Sequence, residues 1–156
     1  MNYTVEELIE CKFDDSYLFD EELACHLADA LSYLTKVDAD KVLESAFFTR
    51  YRGDSWHLSQ KQIRERSVII IDEKDLNERN EAIVTILHEA GHSFLGHGNS
   101  GGYSLEDMNR TEDECWNQVR HWLPPEFHEC IDKAERLGSG SKGTMAGRPC
   151  RPQAQQ

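Results

Sequence analysis

Positive charge is scarce in this chain. Seventeen lysines and arginines stand against 29 aspartates and glutamates, a formal net charge of −12. Such a field repels phosphate backbones and anionic bilayers, so neither nucleic acid nor a membrane surface is expected as a direct partner. Long apolar runs are missing as well, and no stretch is long enough to span a bilayer. The start, Met1-Asn2-Tyr3-Thr4-Val5-Glu6-Glu7, lacks the basic and apolar regions of a secretory signal. Paired cysteines are absent too. Cys11, Cys25, Cys115, Cys130 and Cys150 are odd in number and scattered, without a Cys-x-x-Cys spacing. That sets aside a disulfide framework and an all-cysteine zinc site, and reduced thiols in a cytoplasm are the simpler reading. No internal repeat is visible, and 156 residues suffice for one core.

What is present alternates between helical and strand-like periods. Thr4 with Glu7 forms a capping box for a short helix to about Lys12. Asp20 can cap a second helix carrying Leu23, Ala24, Leu27, Leu31 and Leu34 at three-and-four spacing. A third starts near Asp38 or Asp40 and carries Val42, Leu43 and Ala46. The stretch Phe47–Arg52, a turn at Gly53-Asp54 and a return strand over Ser55–Ser59 read as a hairpin. Ser67–Asp72 is the clearest strand. Its consecutive Ile69, Ile70 and Ile71 suggest burial on both faces, or a place at a sheet's inner edge.

Asp75 or Asn77 can cap a long helix through about Leu95, with Gly96, Gly98, Gly101 and Gly102 punctuating the loop behind it. A further helix runs from Thr111 to about Leu123 and stops at Pro124-Pro125. Pro125 suits the first turn of a last helix ending near Leu137-Gly138. The polar remainder, residues 139–156, reads as a disordered tail behind a single domain spanning residues 1–138. The fold class predicted is α+β, with a small, mostly antiparallel sheet, one active-site helix and further helices.

The chemistry sits in His88-Glu89-Ala90-Gly91-His92. Residues four apart share a helix face, so both imidazoles can bind one tetrahedral ion. Glu89, one step round, is left free as general base for a metal-activated water. Accidental register is the rival explanation. However, Ile83, Val84, Ile86, Leu87, Ala90, Phe94 and Leu95 surround the motif with apolar residues, where unpaired histidines are costly. Gly91 costs helix stability but admits the close approach of a second helix. One Zn2+ per chain is therefore expected, on a minimal zincin-like metallopeptidase domain.

A catalytic zinc usually takes a third protein ligand. The helix beginning at Thr111 is its leading source. Glu114 is preferred because the small Cys115 beside it permits tight packing on the active helix. If Thr111 and Glu114 instead form a capping box, Glu112 becomes the ligand. Cys115 and Asp107 are minor options. His97 lies five residues past His92 and points away from the ligand face of a continuous helix. It would cap the helix end, bond a backbone carbonyl or reach substrate. Tyr103, His97 and His121 are the candidates for substrate or oxyanion contacts. The Val68–Ile71 strand, if it is a sheet edge, would bind an extended substrate by strand addition.

The run Val68-Ile69-Ile70-Ile71-Asp72, then Leu76-Asn77-Glu78-Arg79-Asn80, then Thr85 through His97, resembles the ImmA/IrrE metallopeptidase family. Glu112-Asp113-Glu114-Cys115 and Trp122-Leu123-Pro124 stand where that family has its Glu-x-Glu-Ala-Asn run and a Leu-Leu-Met-Pro-like end. The resemblance spans roughly residues 40 to 124. Cys115-Trp116 departs from the family's Ala-Asn, and the spacing to the proline is about one residue short. The resemblance implies a gluzincin-like fold, a glutamate third ligand, and cleavage of a cytoplasmic helix-turn-helix repressor. No helix-turn-helix is visible in this chain, so a DNA-binding partner would be a separate protein. Two rivals stand beside this reading: a catalytically silent zinc-binding regulatory or interaction protein, and a hydrolase of a small amide.

Overall fold

The computed structural model describes residues 21–51, 56–63, 66–97 and 104–141, with backbone alone for residues 51, 56–63 and 139–141. Among them are five α-helices: α1 (Glu21–Leu31), α2 (Lys36–Ser45), α3 (Arg79–Phe94), α4 (Leu105–Trp122) and α5 (His128–Ser141). Three strands, β1 (Ala46–Tyr51), β2 (Trp56–Ile63) and β3 (Arg66–Asp72), form one sheet in the order β1-β3-β2. The class is α+β, as expected. The helix expected over Thr4–Lys12, the cap at Asp20 and most of the 139–156 tail lie outside the described residues, although α5 itself continues to Ser141.

The sheet corrects two expectations. It is not mostly antiparallel: β1 runs parallel to β3, and only β2 is antiparallel to it. Nor do β1 and β2 form a hairpin, because β3 lies between them. The reason is hydrophobic. β3 carries the most apolar sequence, and a central position satisfies both its backbone edges while burying its side chains. With both edges taken, Val68–Ile71 cannot receive a substrate strand. Burial along β3 alternates rather than covering both faces: Ser67, Ile69 and Ile71 are buried, while Val68 and Ile70 are half-buried. Phe48 of β1 stands in register with Ile69, and both are fully buried on the helical side.

α3 is the hub, touching every other described helix and strands β2 and β3. Ala82, Ile83, Val84, Ile86, Leu87 and Ala90 are all buried, which is why this helix is apolar on most of its circumference. A short 3-10 turn, Glu73–Leu76, leads into it, with the Asp72 carboxylate accepting from the Lys74 N–H at 3.0 Å. That turn takes up Asp75, so neither Asp75 nor Asn77 caps the helix itself. Glu78 holds the cap position without a side-chain bond. Ser93 Oγ ties α3 to α2, 3.1 Å from the Ser45 carbonyl and 3.0 Å from its hydroxyl. Arg79 forks onto Asp29 of α1 at 2.7 and 2.6 Å and donates to the Tyr33 hydroxyl at 3.2 Å.

α4 begins earlier than expected. Ser104 is its N-cap, its Oγ accepting from the Asp107 N–H at 3.1 Å while donating to the Asp107 carboxylate at 2.8 Å. Thr111 is therefore mid-helix, its hydroxyl turned back to the Met108 carbonyl at 2.9 Å, and no capping box with Glu114 exists. The chain leaves α4 at Leu123, before the proline pair, as expected.

Candidate metal centre

Three residues of α4, spaced i, i+3 and i+4, meet the motif face of α3. Cys115 takes the central contact. A Cβ built on Gly91 would lie 2.7 Å from Cys115 Sγ, so glycine is what lets the two helices close. The thiol donates to the His88 carbonyl at 2.9 Å. Trp116 stacks on the His88 ring, with centroids 3.9 Å apart and planes 24° from parallel. Glu112 completes the group. Its Oε2 lies 3.4 Å from His88 Nε2 and its Oε1 3.4 Å from His92 Nε2, so the carboxylate straddles the pair.

The two imidazole Nε2 atoms are 3.3 Å apart. A tetrahedral ion holding nitrogens at about 2.0–2.1 Å separates them by about 3.3–3.4 Å, and a carboxylate oxygen ligand at similar range gives almost the same edge. The imidazole spacing matches that edge, and the two Glu112 oxygens each lie at a similar distance, one from each ring. Both Nε2 atoms cannot donate to Glu112 at once without two N–H groups facing each other at 3.3 Å, so at least one of them presents a lone pair. His88 Nδ1 is buried and without a hydrogen-bond partner in either arrangement. A cation at the Nε2 atoms instead takes both lone pairs and the carboxylate charge together.

Cys115 also counts among the donors that could hold a metal, its Sγ and the two histidine ligand atoms lying within 4.8 Å of one another. Sγ is packed against Gly91 and hydrogen-bonded to the backbone, whereas the Glu112 oxygens face the two Nε2 atoms. Burial, with the Glu89 and Glu112 charges adding to it, holds the Cys115 thiol well above its usual pKa. Glu112 shows the opposite balance. Burial would raise it, but the contacts with His88 and His92 outweigh that and hold its carboxyl far below the usual range. Glu89 is only partly exposed, and burial pushes its carboxyl up to about 7, opposed by His92 and assisted by the charges of Glu112 and Asp75.

The expected residues therefore separate. His88, His92 and Glu112 converge, and Glu89 lies within electrostatic reach of them. Glu114, preferred on sequence as third ligand, meets a different side chain: its Oε2 is 3.0 Å from His97 Nε2. The preference rested on the small Cys115 beside Glu114; Cys115 does pack on α3, but at i, i+3 it shares that face with Glu112. His97 was expected to point away from the ligand face, and this is corrected. Its Nδ1 is 3.0 Å from His92 Nδ1. Gly96, at φ 73°, ends the helix, with the Gly96 N–H bonded to the Ser93 carbonyl and the His97 N–H to the His92 carbonyl. This pair of bonds is a Schellman turn, and it folds the chain back over His92. The glycine was the signal that the helix does not continue.

His121 does not join the group. It lies nine residues beyond Glu112, about half a turn out of phase, and is exposed. Asp107 is engaged at the N-terminus of α4 with Ser104 and Arg110. Tyr103 lies outside the described residues. An open hollow of about 720 Å³ on the outer face of α4, lined by Asn109, Arg110 and Asp113 among others, meets the centre only at Glu114.

Comparison with protein-family models, with curated proteins and with solved structures gives no match. The resemblance to ImmA/IrrE peptidases thus stands on the motif residues alone. No described helix is long and apolar enough to cross a membrane.

Proposed function

We propose that this chain is a zinc-dependent peptidase whose metal is held by His88, His92 and Glu112. The observation that carries the reading is the set of 3.3, 3.4 and 3.4 Å spacings that bring the two Nε2 atoms and one oxygen of Glu112 against each within reach of a single ion. Zinc held there would supply Lewis acidity toward a scissile carbonyl and an attacking water. The chain's own residues supply the rest. Trp116 and the Cys115–Gly91 contact hold His88 and Glu112 in register. Glu89, raised to about 7 by burial, is suited to take a proton from the attacking water and pass it to the leaving amine.

The substrate class proposed is a protein or peptide. A helix-turn-helix repressor is the specific case suggested by the ImmA/IrrE likeness, and nothing beyond the motif supports it. The test separates metal from turnover. The purified chain should take up one zinc, and Glu89→Gln should keep that zinc while losing cleavage of the host proteins that wild type cuts. If wild type binds zinc but cuts no host protein, and Glu89→Gln keeps its zinc and every cellular effect, the peptidase reading is wrong and a silent zinc-binding regulator replaces it.

A further inference from the structure

Glu114, His97 and His92 form a chain of contacts that the reaction above does not use. Glu114 Oε2 meets His97 Nε2 at 3.0 Å, and His97 Nδ1 meets His92 Nδ1 at 3.0 Å. The His97 and His92 side chains are only 8% and 11% exposed. An ionised carboxylate can only accept. Accepting from His97 makes Nε2 the protonated nitrogen of that ring, and a neutral His97 then presents an Nδ1 lone pair. The only complementary partner is His92 with its proton on Nδ1. That tautomer leaves the His92 Nε2 lone pair directed at His88 and Glu112. One exposed carboxylate thus sets the polarity of two buried rings in series.

We propose that Glu114 and His97 are positioning residues that lock His92 as the Nδ1–H tautomer and so prepare its Nε2 as a ligand. The assignment rests on the reading of His92 as a zinc ligand. His88 has no equivalent support, its Nδ1 being unpartnered and its ring held by Trp116 stacking instead. The two ligands are thus oriented by different means, one by a polar chain and one by packing.

The test uses the full chain with two readouts. ¹⁵N histidine spectra of the metal-free protein report the tautomer, and zinc competition with a chromophoric chelator reports affinity. Wild type should show His92 protonated at Nδ1. Glu114→Ala and His97→Ala should each mix the tautomers and weaken zinc binding by about 10–100-fold. Glu114→Gln, whose amide oxygen still accepts from His97, should recover most of the affinity, which a bulk structural effect would not do. Glu114→Ala alters an exposed side chain, so it tests the idea even if His97→Ala unfolds. A wild-type His92 protonated at Nε2, or zinc affinity within about twofold of wild type in Glu114→Ala, overturns this assignment while leaving the peptidase reading intact. A wild type that takes up no zinc overturns both.

Discussion

Replacing Gly91 by alanine tests the packing on which the whole centre depends. On an ordinary helix the change would stabilise by about 1 kcal/mol. Here the new Cβ meets Cys115 Sγ at 2.7 Å, about 0.9 Å inside an ordinary contact distance of about 3.6 Å. The sulfur is fully buried, with the Cys115 carbonyl and the Trp122 ring also 3.9 Å from the new atom, so it has little room to move. Overpacking of this kind costs about 1–3 kcal/mol. Turning the thiol away would also forfeit its bond to the His88 carbonyl, worth about 1 kcal/mol. The net expectation is destabilisation of about 1–2 kcal/mol, read as a fall of about 3–6 °C in the thermal midpoint of the metal-free protein. If the helices part instead, Glu112 moves off the histidine pair and zinc affinity falls. Adding Cys115→Ala should relieve the clash and restore stability, giving a coupling of about 1–2 kcal/mol in a double-mutant cycle. A Gly91→Ala midpoint at or above that of wild type would refute the close-approach argument.

Further expectations concern the metal, the core and the caps. Glu112→Ala should weaken zinc binding far more than Glu114→Ala, as measured by chelator competition; equal losses would contradict the geometry. Zinc at about 100 times its Kd should stabilise the fold by about 2.7 kcal/mol, raising the thermal midpoint by about 5–10 °C, and EDTA should reverse this. Phe48→Ala removes a fully buried ring at the join of sheet and helices, and should cost about 3–5 kcal/mol in denaturant melts. Ser104→Ala should cost about 1 kcal/mol by the same assay, whereas Thr111→Ala, mid-helix, should be close to neutral.

The helices were legible where apolar spacing was strong. α1 and α3 follow from Leu23, Leu27 and Leu31 and from Ile83, Ile86, Leu87 and Ala90. The N-terminal half of α4 was missed because Leu105-Glu106-Asp107-Met108-Asn109-Arg110 has one exposed face and little apolar period. Thr111 with Glu114 then imitated a helix start. Strand order was beyond sequence reading. A hairpin between β1 and β2 is locally plausible, and only competition for the central position, which the isoleucines of β3 win, rules it out. At the centre, the motif residues were read directly. Choosing between Glu112 and Glu114 needed the phase of α4 against α3, which three-dimensional packing alone sets. His97 was misjudged by extending the helix through Gly96.

The strand order has a consequence for synthesis. In the fold β1 pairs, among the described strands, with β3 alone, and Asp72 comes 21 positions after Tyr51. At about 5–20 residues per second, a ribosome needs about 1–4 seconds to deliver the missing partner. Throughout that interval Phe47 and Phe48 wait on a strand without its native partner, a condition under which nascent chains stick to one another. Slower translation across the β2–β3 stretch should lower soluble yield more than the same slowing after Asp72.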